Sequence, residues 1–234
     1  MPAAPDAGSA AERGGEWHGP RWLLPLECAA IALVFVLDAT HHLAVSKTPW
    51  LLLVAWMSLR ARGVHWRDVG LRRGPAPRRL LYLAVVGGIG LETLQLTVTE
   101  PLAAQLVGMA PDLHVLARLE GNARALVVGL LLSWTLAAFG EELVWRGYLL
   151  NRLIGLLGRS WAPYSMALVA TSVLFGLAHA YQGPAGVLVE TVSGLVLGAA
   201  YLGCNRNLAV PIAVHGVVDT IDVVLAYLGR LPGT

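Results

Sequence analysis

The chain has 234 residues, of which 56% are hydrophobic and 14% charged, with 26 glycines and 8 tryptophans and a mean hydropathy of +0.62. That composition excludes an ordinary water-soluble domain and fits a bilayer protein whose length allows one domain. The formal charge of +2 argues neither for nor against a nucleic-acid partner; the basic residues gather beside apolar segments, for which membrane orientation is the simpler explanation, and no nucleic-acid partner is expected.

Lys47 is the one lysine among 17 Lys and Arg residues, a bias that suggests a GC-rich bacterial genome. Cys28 and Cys204 form no CxxC pair and read as two free thiols packed as small hydrophobes. Residues 1–20 are rich in Pro, Ala and Gly and are expected to be a disordered tail ahead of one membrane-embedded domain, 21–234. They lack a basic start leading into a short apolar stretch, so the first membrane helix is expected to act as its own insertion signal.

At roughly 20 apolar residues per crossing, hydropathy predicts an all-α, polytopic bundle of about seven transmembrane helices. They fall near 22–45, 49–60, 79–98, 123–156, 162–180, 184–203 and 207–228. The second is short, and the fourth is too long for one crossing, with Gly140 as a candidate kink. Seven arginines crowd residues 60–79, whereas 99–122 holds only Arg118. The positive-inside bias therefore puts the 60–79 loop and the N-terminus in the cytoplasm of a bacterial inner membrane. Arg152 and Arg159 at the turn after the fourth helix agree with that orientation.

Polar residues recur inside the last four helices. Carboxylates near the bilayer interior are costly unless they face protein or water, which makes Glu141 and Glu142 candidates for function. Glu142 and Arg146 are four apart on one helical face and can pair. Glu141 is rotated by about 100° from its neighbour and points elsewhere, leaving it free for chemistry. Phe175 and His179 follow on the next helix. A lone membrane histidine is often only a helix–helix hydrogen-bonder, but Glu141 and His179 each lie 19 residues from Ser160. A hairpin folded there sets both at one depth, about 28 Å from the turn if fully helical.

His215 and Asp219 share a face of the last helix. His215 is only about eight residues into that helix, so a straight arrangement leaves it about 13 Å from the depth of His179. Tilt, a kink or a later helix start must absorb the difference. Glu92 and Glu190 either line the same interior or serve as packing devices. Asp38, His41 and His42 lie where snorkelling to water is easy and are assigned nothing.

A glutamate held out of water can act as general base toward water, with a histidine holding that water and shuttling its proton. Donors on a second face, His215 or a protonated Asp219, would stabilise a developing oxyanion. No GxSxG nucleophile motif competes. Neither does an HExxH zinc motif, although His179, His215, Asp219 and a glutamate remain possible ligand types.

The segments EELVWRGYL, FGLAHAYQGPAGVL and VPIAVHGVVD, in this order on late membrane helices, resemble the EExxxR, FxxxH and HxxxN/D motifs of the CAAX proteases and bacteriocin-processing enzymes, the CPBP family, related to the type II CAAX prenyl endopeptidase. GLRR at Gly70–Arg73 is also similar, and the resemblance covers roughly 64–228.

It implies a helical intramembrane endopeptidase in which Glu141 activates water with His179. By the same likeness His215 and Asp219 form the oxyanion side, and Glu142, Arg146 and Phe175 support the architecture. The implied mechanism is metal-free and glutamate-dependent, with no cofactor; zinc is the alternative. An Asn at position 219 would donate from its amide, whereas Asp219 donates only if protonated and otherwise orients His215. The expected partners are the lipid bilayer and a membrane-associated protein or peptide substrate. The rival readings are a non-catalytic scaffold or bacteriocin-immunity protein, and a proton or solute transporter. The transporter would call for an internal repeat with matching broken helices, which the sequence does not display.

Overall fold

The computed structural model of the protein describes residues 22–158 and 160–234; the expected tail, 1–20, and Arg159 lie outside them. Among the described residues the chain is all-helical. Seven helices run in order: α1 (Leu23–Ala39), α2 (Lys47–Ala61), α3 (Pro77–Val107), α4 (Ala123–Leu157), α5 (Trp161–Leu177), α6 (Gly183–Gly203) and α7 (Ala209–Tyr227). Two short 3-10 helices, His114–Leu119 and Ala180–Gln182, lie between them.

Four of these are long and apolar enough to cross a membrane: α3 with 31 residues, α4 with 35, α6 with its leading 3-10 turn (24 in all) and α7 with 19. Helices α1 and α5 have 17 residues and α2 has 15. At about 1.5 Å per residue they reach about 26 Å or less, short of a hydrocarbon core of about 30 Å. The expected seven spans thus reduce to four of full length and three shorter helices. The outward faces are apolar, with Leu81, Tyr82, Val86, Val127, Val128 and Leu131 all exposed, as lipid-facing positions require.

Local chemistry sets the helix ends. Pro77 and Pro184 occupy the first turns of α3 and α6, where a missing N–H costs nothing. Asn122 caps α4 by accepting from the Ala125 N–H at 3.1 Å. Gly108, at φ +78°, closes α3 in the left-handed conformation. Helix α3 therefore runs past the predicted end at residue 98, and the 99–122 loop is partly helical.

Helix α4 does not break at Gly140. It widens instead into π-helix over Ser133–Glu141 and Leu143–Leu150. Such i→i+5 stretches are rare and concentrate at functional sites. Gly140 serves close packing: a Cβ there would lie 2.9 Å from Thr48 Cγ2 of α2.

Helix α7 packs on α3 and on the first π segment of α4, and α5 packs on α6. Gly176 lets α5 and α6 touch, since a Cβ there would meet Thr191 Oγ1 at 2.1 Å and the Val187 carbonyl at 2.3 Å. At one end of the bundle the buried Glu27 of α1 ties three helices together. It accepts from Ser58 of α2, pairs with Arg62 just past the end of α2, and holds Arg152 of α4 at 3.1 Å. Both Arg62 and Arg152 are residues of the arginine-rich side.

Candidate active site

The π-helical middle of α4 carries the glutamate pair into the bundle, with the two side chains on different neighbours. Glu142 is fully buried, and its Oε1 accepts from Arg146 Nη1 at 2.5 Å. The same oxygen accepts from His215 Nδ1 of α7 at 3.0 Å. Arg146 also donates to the Gly194 carbonyl of α6 at 3.2 Å and stacks over the Phe175 ring at 4.8 Å. Charge-assisted bonds of this kind are the stronger class of hydrogen bond. The buried Glu142–Arg146 pair therefore joins α4, α6 and α7.

Glu141 faces the other way. Its Oε1 accepts from Thr48 Oγ1 of α2 at 3.3 Å, and its Oε2 lies 4.0 Å from His179 Nε2. His179 Nδ1 is 2.8 Å from the Phe175 carbonyl. A carbonyl only accepts, so Nδ1 carries the proton in this bond, and in the neutral ring Nε2 is then an acceptor turned toward Glu141. Phe175 positions both histidines: its ring centroid is 4.7 Å from that of His179 and 6.3 Å from that of His215. Trp145 backs it edge-on at 5.4 Å.

His179 and His215 line one cavity with the Phe175 ring near both, so the expected depth mismatch does not keep them apart. Helix α5 ends at Leu177, and His179 stands in the turn leading to the 3-10 segment Ala180–Gln182 rather than deep in a helix reaching residue 180. Gly183, at φ +78°, and Pro184 make the reversal. On α7, His215 Nε2 lies 3.4 Å from Asp219 Oδ1, while Asp219 Oδ2 is buried without a hydrogen-bond partner.

These residues border a cavity of about 820 Å³ lined by Glu141, Phe175, His179, His215 and Asp219. Glu142 and Arg146 lie behind its wall. Glu92 and Glu190 line it too, and so do Asp38 and His41, to which the sequence assigned nothing. Thr48 falls just ahead of the predicted start of the second helix at residue 49 and was missed for that reason. Asp222 was also missed, although it stands three residues beyond Asp219 on the same helical face. Among the described residues, no three or more His, Cys, Asp and Glu side chains are arranged as a metal cage. The zinc alternative finds no fit among them.

The decisive comparison concerns the stretch that carries all of these motifs. Residues 123–221 match the family described as type II CAAX prenyl endopeptidase Rce1-like. This stretch is a domain of that family. It runs from the start of α4 to just past Asp219, so it contains Glu141, Glu142, Arg146, Phe175, His179 and His215, while α1–α3 lie outside it. No curated protein and no solved structure matches the chain. Membership suggests a CAAX-type intramembrane protease acting on protein substrates, and the four long apolar helices suggest an integral membrane protein.

Proposed function

We propose that the protein is an intramembrane endopeptidase that hydrolyses a peptide bond of a membrane-associated protein or peptide with water activated by Glu141 and His179. The observation that carries this reading is the 4.0 Å approach of Glu141 Oε2 to His179 Nε2 on the wall of the cavity. Both atoms are acceptors, so they do not bond one another. A water that donates one hydrogen to each suits the gap, because each O–H···O or O–H···N bond needs only about 2.8 Å.

In the proposed reaction, the water oxygen attacks the peptide carbonyl carbon and its proton passes to Glu141. The carbonyl oxygen becomes the oxyanion of a tetrahedral intermediate. His215, as an imidazolium between the carboxylates of Glu142 and Asp219, keeps its Nδ1–H on Glu142 and donates to the oxyanion from Nε2–H, whose 3.4 Å contact with Asp219 is long enough to yield. Collapse breaks the C–N bond, and the proton held by Glu141 goes to the departing amine, leaving a carboxyl and an amino product. Asp219 orients His215, and Glu142 with Arg146 fixes the frame behind it. The membrane orientation in this reading keeps the arginine-rich loop, 60–79, on the cytoplasmic side of a bacterial inner membrane.

The test is cleavage of membrane-anchored peptides by purified, reconstituted protein. Wild type is expected to cleave, and Glu141→Gln to lose about 10²- to 10⁴-fold in rate, the usual contribution of a general base. Equal cleavage by both would remove Glu141 from the chemistry, and no cleavage by either would favour a non-catalytic scaffold. Exhaustive chelation with metal analysis is expected to leave the wild-type rate unchanged; loss of activity restored by zinc would reverse that reading.

A further inference from the structure

The same cavity carries a second acidic group that the proposed hydrolysis does not use. Helix α3 supplies Glu92, Gln95 and Glu100, helix α6 supplies Glu190, and helix α7 supplies Asp222. The Glu92 and Asp222 carboxyls are close enough to share one proton, and Glu100 and Glu190 stand near enough to act electrostatically on both. Two oxygens on this wall are unpaired. Glu92 is 4% exposed and Gln95 is 7% exposed, and the Oε1 of each has no hydrogen-bond partner. Buried acceptors left open are costly, and a donor that reached them would recover that cost.

The wall thus offers acceptors and negative charge, and its complement is a cationic donor. Among the described residues no cluster has the geometry of a metal site, which argues against a bare ion. Leu91, Val189, Leu197 and Val218 flank the acids around the cavity, giving an apolar channel suited to an aliphatic stem with a charged tip.

We infer that Glu92, Gln95, Glu190 and Asp222 form a specificity subsite for one basic side chain, lysine or arginine, of the peptide substrate. The inference rests on the protease reading for its substrate. Asp222 lies one turn beyond Asp219, so a basic side chain seated there leaves its own backbone beside the hydrolytic residues. All four subsite residues except Glu190 lie outside the family stretch 123–221, so the preference belongs to this chain's own α3 and its partners.

The experiment measures binding to the full-length Glu141→Gln protein in detergent micelles, which keeps the probe intact. The probes are two capped leucine-rich hexapeptides that differ only in a central lysine or norleucine. The lysine peptide is expected to bind about ten-fold or more tightly, as a charge-assisted bond in a buried site provides. Adding Glu92→Gln should bring the ratio near one while the norleucine affinity stays unchanged, which shows that the variant is folded; Glu190→Gln serves as a second variant that should narrow the ratio. Equal binding of the two peptides, or a lysine preference untouched by both substitutions, would overturn the subsite. If the preference holds but wild type cleaves no peptide, the protease reading fails and the basic-side-chain site stands.

Discussion

At the scale of single residues, the two adjacent glutamates have unlike surroundings. Glu142 is buried with Arg146 and His215 on one oxygen, so removing a partner leaves an uncompensated buried charge. Arg146→Met is expected to destabilise the protein by about 3–5 kcal/mol, measured by denaturant unfolding in micelles. Glu141→Gln should change stability by less than about 1 kcal/mol, since glutamine can still accept from Thr48. Thr48→Val removes that bond and is expected to lower cleavage by up to about ten-fold with little change in stability. Spacing made part of this arrangement legible: i,i+4 arithmetic alone pairs Glu142 with Arg146 and His215 with Asp219. No spacing rule joins Glu142 to His215, because that bond crosses from α4 to α7, and none reaches Thr48 on α2.

At the scale of elements, the α5–α6 hairpin decides where His179 stands. Hydropathy runs smoothly through FGLAHA, so the sequence reading carried the helix to residue 180. The chain leaves the helix at Leu177 and reverses through Gly183 and Pro184, and His179 stands in that turn with its ring against Phe175, which also neighbours His215. The hairpin depends on contact at Gly176, where an added Cβ meets the backbone carbonyl of Val187 at 2.3 Å. Backbone cannot move aside cheaply. Gly176→Val is expected to cost about 1–3 kcal/mol through overpacking and to reduce cleavage by separating His179 from Glu141, as thermal unfolding and the peptide assay together would reveal. The π-helical widening of α4 was not legible, because side-chain pattern does not report the backbone hydrogen-bond register.

At the scale of the whole molecule, an all-helical membrane architecture was legible from composition, and the motifs led to the family that residues 123–221 match. The number of full-length spans was not, since hydropathy reports which residues are apolar and not where a helix stops. Four helices have the length to cross, and the shorter α1 and α2 are tied to α4 through Glu27 and Thr48. The proposed orientation predicts that a reporter fused within residues 60–79 is cytoplasmic; a periplasmic signal would reverse the topology. The central claim, that Glu141 and His179 hold one water between them, is tested most directly by a double-mutant cycle on cleavage rate. Residues that act as a unit are strongly non-additive, so Glu141→Gln with His179→Gln is predicted to be no slower than the slower single variant. Losses that multiply across the two substitutions would contradict the account.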